Sequence, residues 1–581
     1  MWFSSWLGKR KRSTPRNSPS AGRKRSGYRP LLEVLEDRWL PSTLTVTSAA
    51  DSGLGSLRAE IAAANPGDQI IFANSVNKIT LTSGELVINK SLDIEGPGAV
   101  KLTVSGNQAS RVFDIQGGAT VTIAGLTIAN GSATSTTNPS QQSGGGVLDE
   151  PGATVYITND VFSNNRALVA SGAVEIAGGT TTGGPDPATA IISGTTFVGN
   201  QAIGSVTGTT NPILGFDGFG PGGGTAEGGA IDDDGILSLT NCTFTNNQAL
   251  GVPGSDGVSA SAHGGAVAVD GVGTITGCTF TGNLAQAATV PSNFLASQGL
   301  GGGVVVFGLG TITGSTFTGN EAIGGAGGVT PSKFAFVGGG GGLLAIGPAT
   351  LTVSGCSFDH NQAIGGAGGA GGIGSIGIGG GLAVHGPGAS LTMSDSSFSH
   401  NAAIGGAGGS GAAGGDGFGG GLSVDRAATA TITDITVAFN QAAGGAGGAG
   451  TNGGNGWGGG IAVGGRTIYT GSSDNSSVTL SGSTISNNMA VGGNGGLGGA
   501  GGNGSGGGVF VGATVGTITP SLAVSASTII NNHAMGGAGE GGGAFGLGVG
   551  GGVYNLGTFT FDVFTDITGN HASTSNDDMF P

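Results

Sequence analysis

Apolar and polar residues alternate along most of this chain in runs of three to five positions, as in ATLTV at Ala349–Val353, and the apolar positions are rich in Val, Ile, Leu and Thr. That period of two predicts short strands, not helices. The runs are ordered. A glycine cluster opens a strand (GGAIDDD from 228, GGAVAVD from 264, GGGVVVF from 301, GGGLLAI from 340, GGGLAVH from 379), an alternating strand follows, and a Ser-Gly bend leads to a third strand ending in F-x-x-N. That last phrase recurs at Phe162/Asn165, Phe197/Asn200, Phe244/Asn247, Phe280/Asn283, Phe317/Asn320, Phe358/Asn361 and Phe398/Asn401. Aliphatic residues replace Phe at Val437/Asn440, Ile485/Asn488, Ile529/Asn532 and Ile567/Asn570. The mean period from Asn165 to Asn570 is about 40 residues, the range of solenoids.

Three strands per period with bends between them predict an all-β, right-handed parallel β-helix of about eleven or twelve rungs, with glycine-rich loop insertions. At about 4.8 Å per rung the column is roughly 55 Å long. Like residues then form ladders: Phe inward, and Asn at a turn where its amide bonds the backbone of neighbouring rungs. Cys242, Cys278 and Cys356 each precede the ladder residue by two, so they join one inward stack of small residues as unpaired thiols. SLRAEIAAAN, from Ser56, reads as a short capping helix over the open end, with Ser56 as its N-cap. The expected organisation is a basic leader at 1–43, a cap with the first rungs at 44–130, the repeat column at 131–570 and a tail at 571–581.

Composition sharpens this picture. Gly and Pro make up about 26% of the 581 residues and charged residues only 9%, which favours a glycine-punctuated repeat over charge-driven disorder. Residues 1–41 carry +7 and the remainder −22, so the body would repel nucleic acid. No run of apolar residues is long enough for a membrane-spanning helix. The glycine loops, such as Gly365–Gly381 and Gly405–Gly421, all follow the Asn turn. Composition leaves open whether they are flexible or packed together.

Three resemblances add to this reading. LEVLEDRWLPS (Leu32–Ser42) resembles the start of large bacterial surface proteins that carry a basic leader. Ser56-Leu57-Arg58-Ala59-Glu60-Ile61 is similar to the CSLREAI-type segment opening many bacterial β-helix proteins, without its Cys. The alternation of GGA(I/V) and F-x-x-N over Gly144–Asn570 resembles the repeats of polymorphic outer-membrane proteins and autotransporter passengers. Together they imply a secreted or envelope-associated bacterial protein with an adhesive or structural role.

Pectate-lyase-like and polygalacturonase-like enzymes share this architecture, which makes a polysaccharide-processing enzyme the alternative. Its candidate residues are Asp232, Asp233, Asp234 and Asp270, with Glu227 nearby. Asp234 and Asp270 fall at equivalent positions of neighbouring rungs, where paired carboxylates share a proton, hold a cation or flank a glycosidic bond. The competing expectation is a solvated acidic turn. From Ala167 to Pro581 the only bases are Lys333, Arg426 and Arg466, so a hydrolase fits better than a lyase, which needs a cation for the substrate's carboxylate. His360, His400, His533 and His571 flank the turn Asn as exposed residues, and His385 lies one rung from Asp425 with no nucleophile beside them. No metal or cofactor motif is present: calcium-binding nonapeptides need regularly spaced Asp, and Asp416 stands alone in its loop. The partners expected are surface glycans or envelope components.

Overall fold

The computed structural model describes residues 41–581 except 136–140, 180–185, 206–223, 254–260, 290–296, 328–336, 466–473 and 515–518. Residues 1–40 of the basic leader, Lys333 and Arg466 lie outside the described residues, and Thr43, placed at the end of the leader, opens the first strand, Thr43–Val46.

The described chain is a right-handed parallel β-helix in which every strand pairs in parallel with its equivalent one rung away. Five sheets run along it, with 15, 14, 14, 12 and 9 strands. One rung illustrates the order: Gly338–Gly339 in the nine-stranded edge sheet, Leu343–Ile346 in the glycine-opened sheet, Thr350–Ser354 in the longest sheet, Ser357–Asp359 in the Phe sheet and Gln362–Ile364 in the sheet after Asn. The sequence pattern reveals three of these five. The other two are the two-residue strands of the edge sheet and the short strands directly after the Asn turn, both of which fall within what the sequence reads as glycine-rich loop. The column also exceeds eleven or twelve rungs, because Gln69–Phe72, Leu92–Glu95 and Thr120–Ala124 join the longest sheet ahead of the first F-x-x-N.

The interior is built from ladders. Phe162 to Phe398 stack ring on ring with centroids 4.7–5.0 Å apart, and the aliphatic Val437, Ile485 and Ile529 continue the column, all fully buried. The face-to-face arrangement is imposed by the rung spacing, since isolated rings favour offset or edge contacts. The Asn residues beside them are buried rather than solvated. Asn283 shows the pattern: its Nδ2 donates to Phe244 O at 3.1 Å and to Asn320 Oδ1 at 2.9 Å, and its backbone N donates to the same Oδ1 at 3.0 Å. At the far end Asn570 donates instead to Asp578 Oδ1, so a carboxylate terminates the ladder. The three cysteines are buried unpaired thiols in the small-residue stack, where Cys242 N donates to Cys278 Sγ at 3.3 Å.

Helix α1 (Leu57–Ala63) covers the first rung as its sequence predicts. Ser56 Oγ accepts from Ala59 N at 3.2 Å, and Leu57 and Ile61 are buried in the column's core. Lys90 Nζ donates to Ala64 O at 2.9 Å at the helix C-terminus, the end that favours a cation. Arg58 bonds Asp51 Oδ1 at 2.8 Å and the carbonyls of Gly84 and Glu85, fastening the cap to the rungs below.

The glycine loops are packed, which composition left open. Every third amide donates to the matching loop of the next rung: Gly365 to Ile404, Gly368 to Ala407, Gly371 to Ser410 and Gly374 to Ala413, at 2.8–2.9 Å. Other amides cross between loop arms, as in Ser375 to Gly366 and Gly406 to Ser375. These bonds join successive loops sideways into a layer. A Cβ on Gly409 would stand 1.6 Å from Gly369 O, and one on Gly454 would stand 1.7 Å from Gly415 O. Glycine is therefore required there by close approach of backbones.

Candidate functional site

The chemistry concentrates where the glycine-opened sheet meets the edge sheet. The middle residue of each glycine-opened strand faces away from the main core. Following the register, this row reads Asp114, Leu148, Glu175, Asp232, Ala268, Val305, Leu344, Ala383, Ser423, Ala462, Phe510 and Tyr554. Across the junction the edge sheet supplies a second row: Glu227, His263, Leu300, Gly339, Ile378, Phe418 and Trp457. Both rows are ionisable in the early rungs and become predominantly apolar later. The later part closes into a second core that includes Val305, Leu344, Phe418, Trp457 and Phe510.

In the early part, Glu175, Glu227 and Asp232 are buried, and Asp234 and Asp270 are half-buried. This corrects the expectation of a solvated acidic turn: the neighbouring rungs and the edge sheet cover the carboxylates. Ser171 Oγ donates a short hydrogen bond to Glu175 Oε2. Among the described residues Glu227 Oε1 and Asp232 Oδ1 have no hydrogen-bond partner, and His263 Nδ1 lies 3.4 Å from Glu227 Oε1. Burial first, and then the neighbouring carboxylates, push Glu175 up to about 8 and Asp234 up to about 6. The same causes drive Asp232 and Asp270 well above the usual carboxylate range.

Asp234 and Asp270 do occupy equivalent positions, since the register pairs Asp233 with Val269 and Asp270 N donates to Asp233 O at 2.8 Å. Asp232 belongs to the outward row. Asp233 faces the other way, into the column, at a position where Ile176 and Val269 stand in adjacent rungs. Its Oδ1 accepts from Gly235 N at 3.0 Å, and burial raises it to about 8. Asp149, one rung before Ile176, is likewise inward, with neither oxygen hydrogen-bonded, and is raised by burial to about 8. The strand alternation thus splits the DDD run between two environments.

Sequence reasoning missed Glu175 and His263. Aligning GAVEI with GGAID would have placed Glu175 over Asp232, whereas His263 needed the edge sheet, which has no sequence signature. Further toward the cap, Arg111 is buried and pairs with Glu85 Oε2 at 2.9 Å. These two line a polar cavity of about 530 Å³ together with Ser83, Ser110, Ser132, Thr134, Ser135 and Gln141.

His385 meets Asp425 as the register requires, with Nδ1 2.6 Å from Oδ1, and Arg426 Nη1 lies 3.3 Å from its Nε2. The arrangement suits a ring that donates from Nδ1 and accepts at Nε2, and among the described residues no hydroxyl or thiol nucleophile is bonded to it. The adjoining cavity, lined by Leu300, Leu344, Ile378, His385 and Arg426 among others, holds only about 30 Å³. That is room for about two waters, far below a sugar ring. His360 and His400 are exposed as expected, but stacking carries both to Asp359.

No family model matches the chain, and no curated protein matches it. Among solved structures it is similar to tailspike protein 3 of bacteriophage CBA120, at 10% identity and a TM-score of 0.33 over 89% of this chain and 59% of that one. It is also similar to an alginate lyase from Paenibacillus, at 14% identity and a TM-score of 0.24 over 54% of this chain and 94% of that one. A third similarity is to the periplasmic alginate epimerase AlgG, at 9% identity and a TM-score of 0.23 over 82% of this chain and 66% of that one. The chain therefore spans 59% of the length of the tailspike it matches. At such identities the likeness is one of fold alone. Among the described residues no helix is long and apolar enough to cross a membrane.

Proposed function

We propose that this protein is a rigid surface or secreted β-helix that binds neutral glycans and catalyses no reaction on them. The observation that carries this reading is the cavity of about 530 Å³ at the cap end, lined mainly by hydroxyl and amide side chains. Its volume lies in the range of small-ligand sites. Its arginine is already neutralised by Glu85, and Asp114 and Glu150 lie within electrostatic range of Glu85. A hydroxyl-rich neutral sugar suits such a lining, whereas a uronate would meet uncompensated negative charge. The GGA(I/V) and F-x-x-N repeats, similar to those of adhesive surface proteins, support the same role, as does a column whose stability is spread over many identical ladders.

A glycoside hydrolase is the second reading, and Asp234 and Asp270 favour it. Burial and like charge raise both, so a protonated carboxyl able to act as an acid stands beside a second carboxyl in the next rung. Glycan-array binding and reducing-sugar release on neutral polysaccharides separate the two. The binding reading expects retention of neutral glycans, weakened by Ser110→Trp in the cavity, with no sugar released. Release from the wild type that disappears in Asp234→Asn/Asp270→Asn would overturn it in favour of the hydrolase.

A further inference from the structure

The residue just before each ladder Asn sits in the left-handed backbone region, with φ between 51° and 67°. Glycine and asparagine adopt that conformation at least cost. Eight of the eleven turns obey, with Asn164, Gly199, Asn246, Gly282, Gly319, Asn487, Asn531 and Gly569. The three exceptions are consecutive: His360, His400 and Phe439. One residue earlier the turns carry Ser, Thr, Val, Ala or Ile, and Asp359 is the single carboxylate. Departures from two separate ladder positions thus converge on one spot of the outer surface.

The side chains there face one another. His360 Nδ1 lies 2.7 Å from Asp359 Oδ2, and His400 Nδ1 lies 3.5 Å from Asp359 Oδ1. Ser399 Oγ donates to Asp359 Oδ1 at 2.6 Å and holds the carboxylate in place. The imidazoles stack at 4.7 Å with an 11° tilt, and Phe439 covers the far face of His400 at 5.4 Å. One donor atom from each of Asp359, His360 and His400 lies within 4.8 Å of the other two.

We propose that Asp359, His360 and His400 form a divalent transition-metal site of the zinc class. Two imidazole nitrogens and one carboxylate oxygen suit Zn²⁺, with water at the fourth position, whereas calcium and magnesium favour sets made of oxygen alone. Zn–N bonds of about 2.0–2.1 Å draw donors closer than the stacked rings stand. His360 and His400 are 62% and 51% exposed, so their rings turn to meet an ion without disturbing the core. The acidic body, carrying −22 beyond residue 41, adds long-range attraction for a cation.

The test uses the full chain, stripped with a chelator and titrated with Zn²⁺ by calorimetry and with Co²⁺ by visible absorption. His360→Asn and His400→Asn are the informative variants, because asparagine already fills that backbone position in four other turns and leaves the ladder able to fold. The expected result is one Zn²⁺ per chain, a four-coordinate Co²⁺ spectrum, and affinity reduced at least about tenfold in either variant with the thermal midpoint of the metal-free protein unchanged. His533→Asn/His571→Asn, which removes the other exposed histidine pair, should leave binding intact. Failure of the wild type to bind Zn²⁺, or binding that survives undiminished in His360→Asn/His400→Asn, would overturn the site.

Discussion

One row of outward positions on the glycine-opened sheet carries Asp114, Glu175 and Asp232 in its early rungs and Val305, Leu344 and Phe510 in its later ones. The parallel register of the row is the same in both parts, but the edge sheet begins only at Ala226–Glu227 and faces the row from the Asp232 rung onward. The later rungs form an apolar second core, and the early rungs enclose carboxyl groups that burial and their neighbours keep protonated well above the usual pH. The fold thus leaves this row unconstrained so long as the interior ladders stay intact, and the acidic part costs stability that the column draws from those ladders.

The largest effect that exposes this difference is the response to pH. Glu175, Asp149 and Asp233 titrate near 8 in the folded chain and near 4 when unfolded, so between those values the folded state holds more protons. Stability then falls as pH rises from about 4 to 8 and levels off above, with a slope of at most about 1.4 kcal/mol per pH unit for each such carboxyl. Asp51 acts oppositely: burial disfavours its charge, but hydrogen bonds from Ser83, Arg58 and Thr82 outweigh that and hold it below the usual range. Its contribution is lost as pH falls below about 4. Urea midpoints across pH 3 to 9 should therefore peak between pH 4 and 5, and a midpoint rising toward pH 8 would contradict the burial of these early-rung acids, Glu175 in the outward row and Asp149 and Asp233 inside the column.

Next in size, Val305→Asp extends the acidic part into the apolar one and should cost roughly 3–5 kcal/mol at pH 7, because it buries a charge with no partner. Hydrogen exchange should localise the loss to the rungs from Val267–Val269 to Leu343–Ile346. Asn283→Ala strips a ladder residue of its amide bonds and should cost about 1–3 kcal/mol. The same change at Asn488, beside the apolar part, should match it within experimental spread, because the ladder is alike in both. The smallest effect is a gain. Asp232→Asn removes one member of the crowded acids and should stabilise by about 1–2 kcal/mol at pH 8 and hardly at all at pH 4.5. Equal effects at the two pH values would mean the acids do not repel one another.

Much of this was legible from residue order. Each F-x-x-N predicted both a buried ring and an amide ladder, and the cysteine register followed from counting two residues back. The cap followed from Ser56 and the apolar spacing of Leu57 and Ile61. The edge sheet was not legible, because Gly338–Gly339 or Ala226–Glu227 is a strand only through its neighbours in adjacent rungs. Without that sheet, the DDD run read as a turn in water, and the facing of Glu227 and His263 toward Glu175 and Asp232 could not be seen.

Alternation and a 40-residue period specify a parallel β-helix because strand pairing needs only a repeated pattern of side-chain size and backbone bends. Burial of the acids, packing of glycine loops into a layer, and the meeting of Asp359, His360 and His400 are decided by tertiary structure. Each depends on residues about 40 positions apart coming within one rung spacing, and a distance of that kind is set by register, not by local sequence.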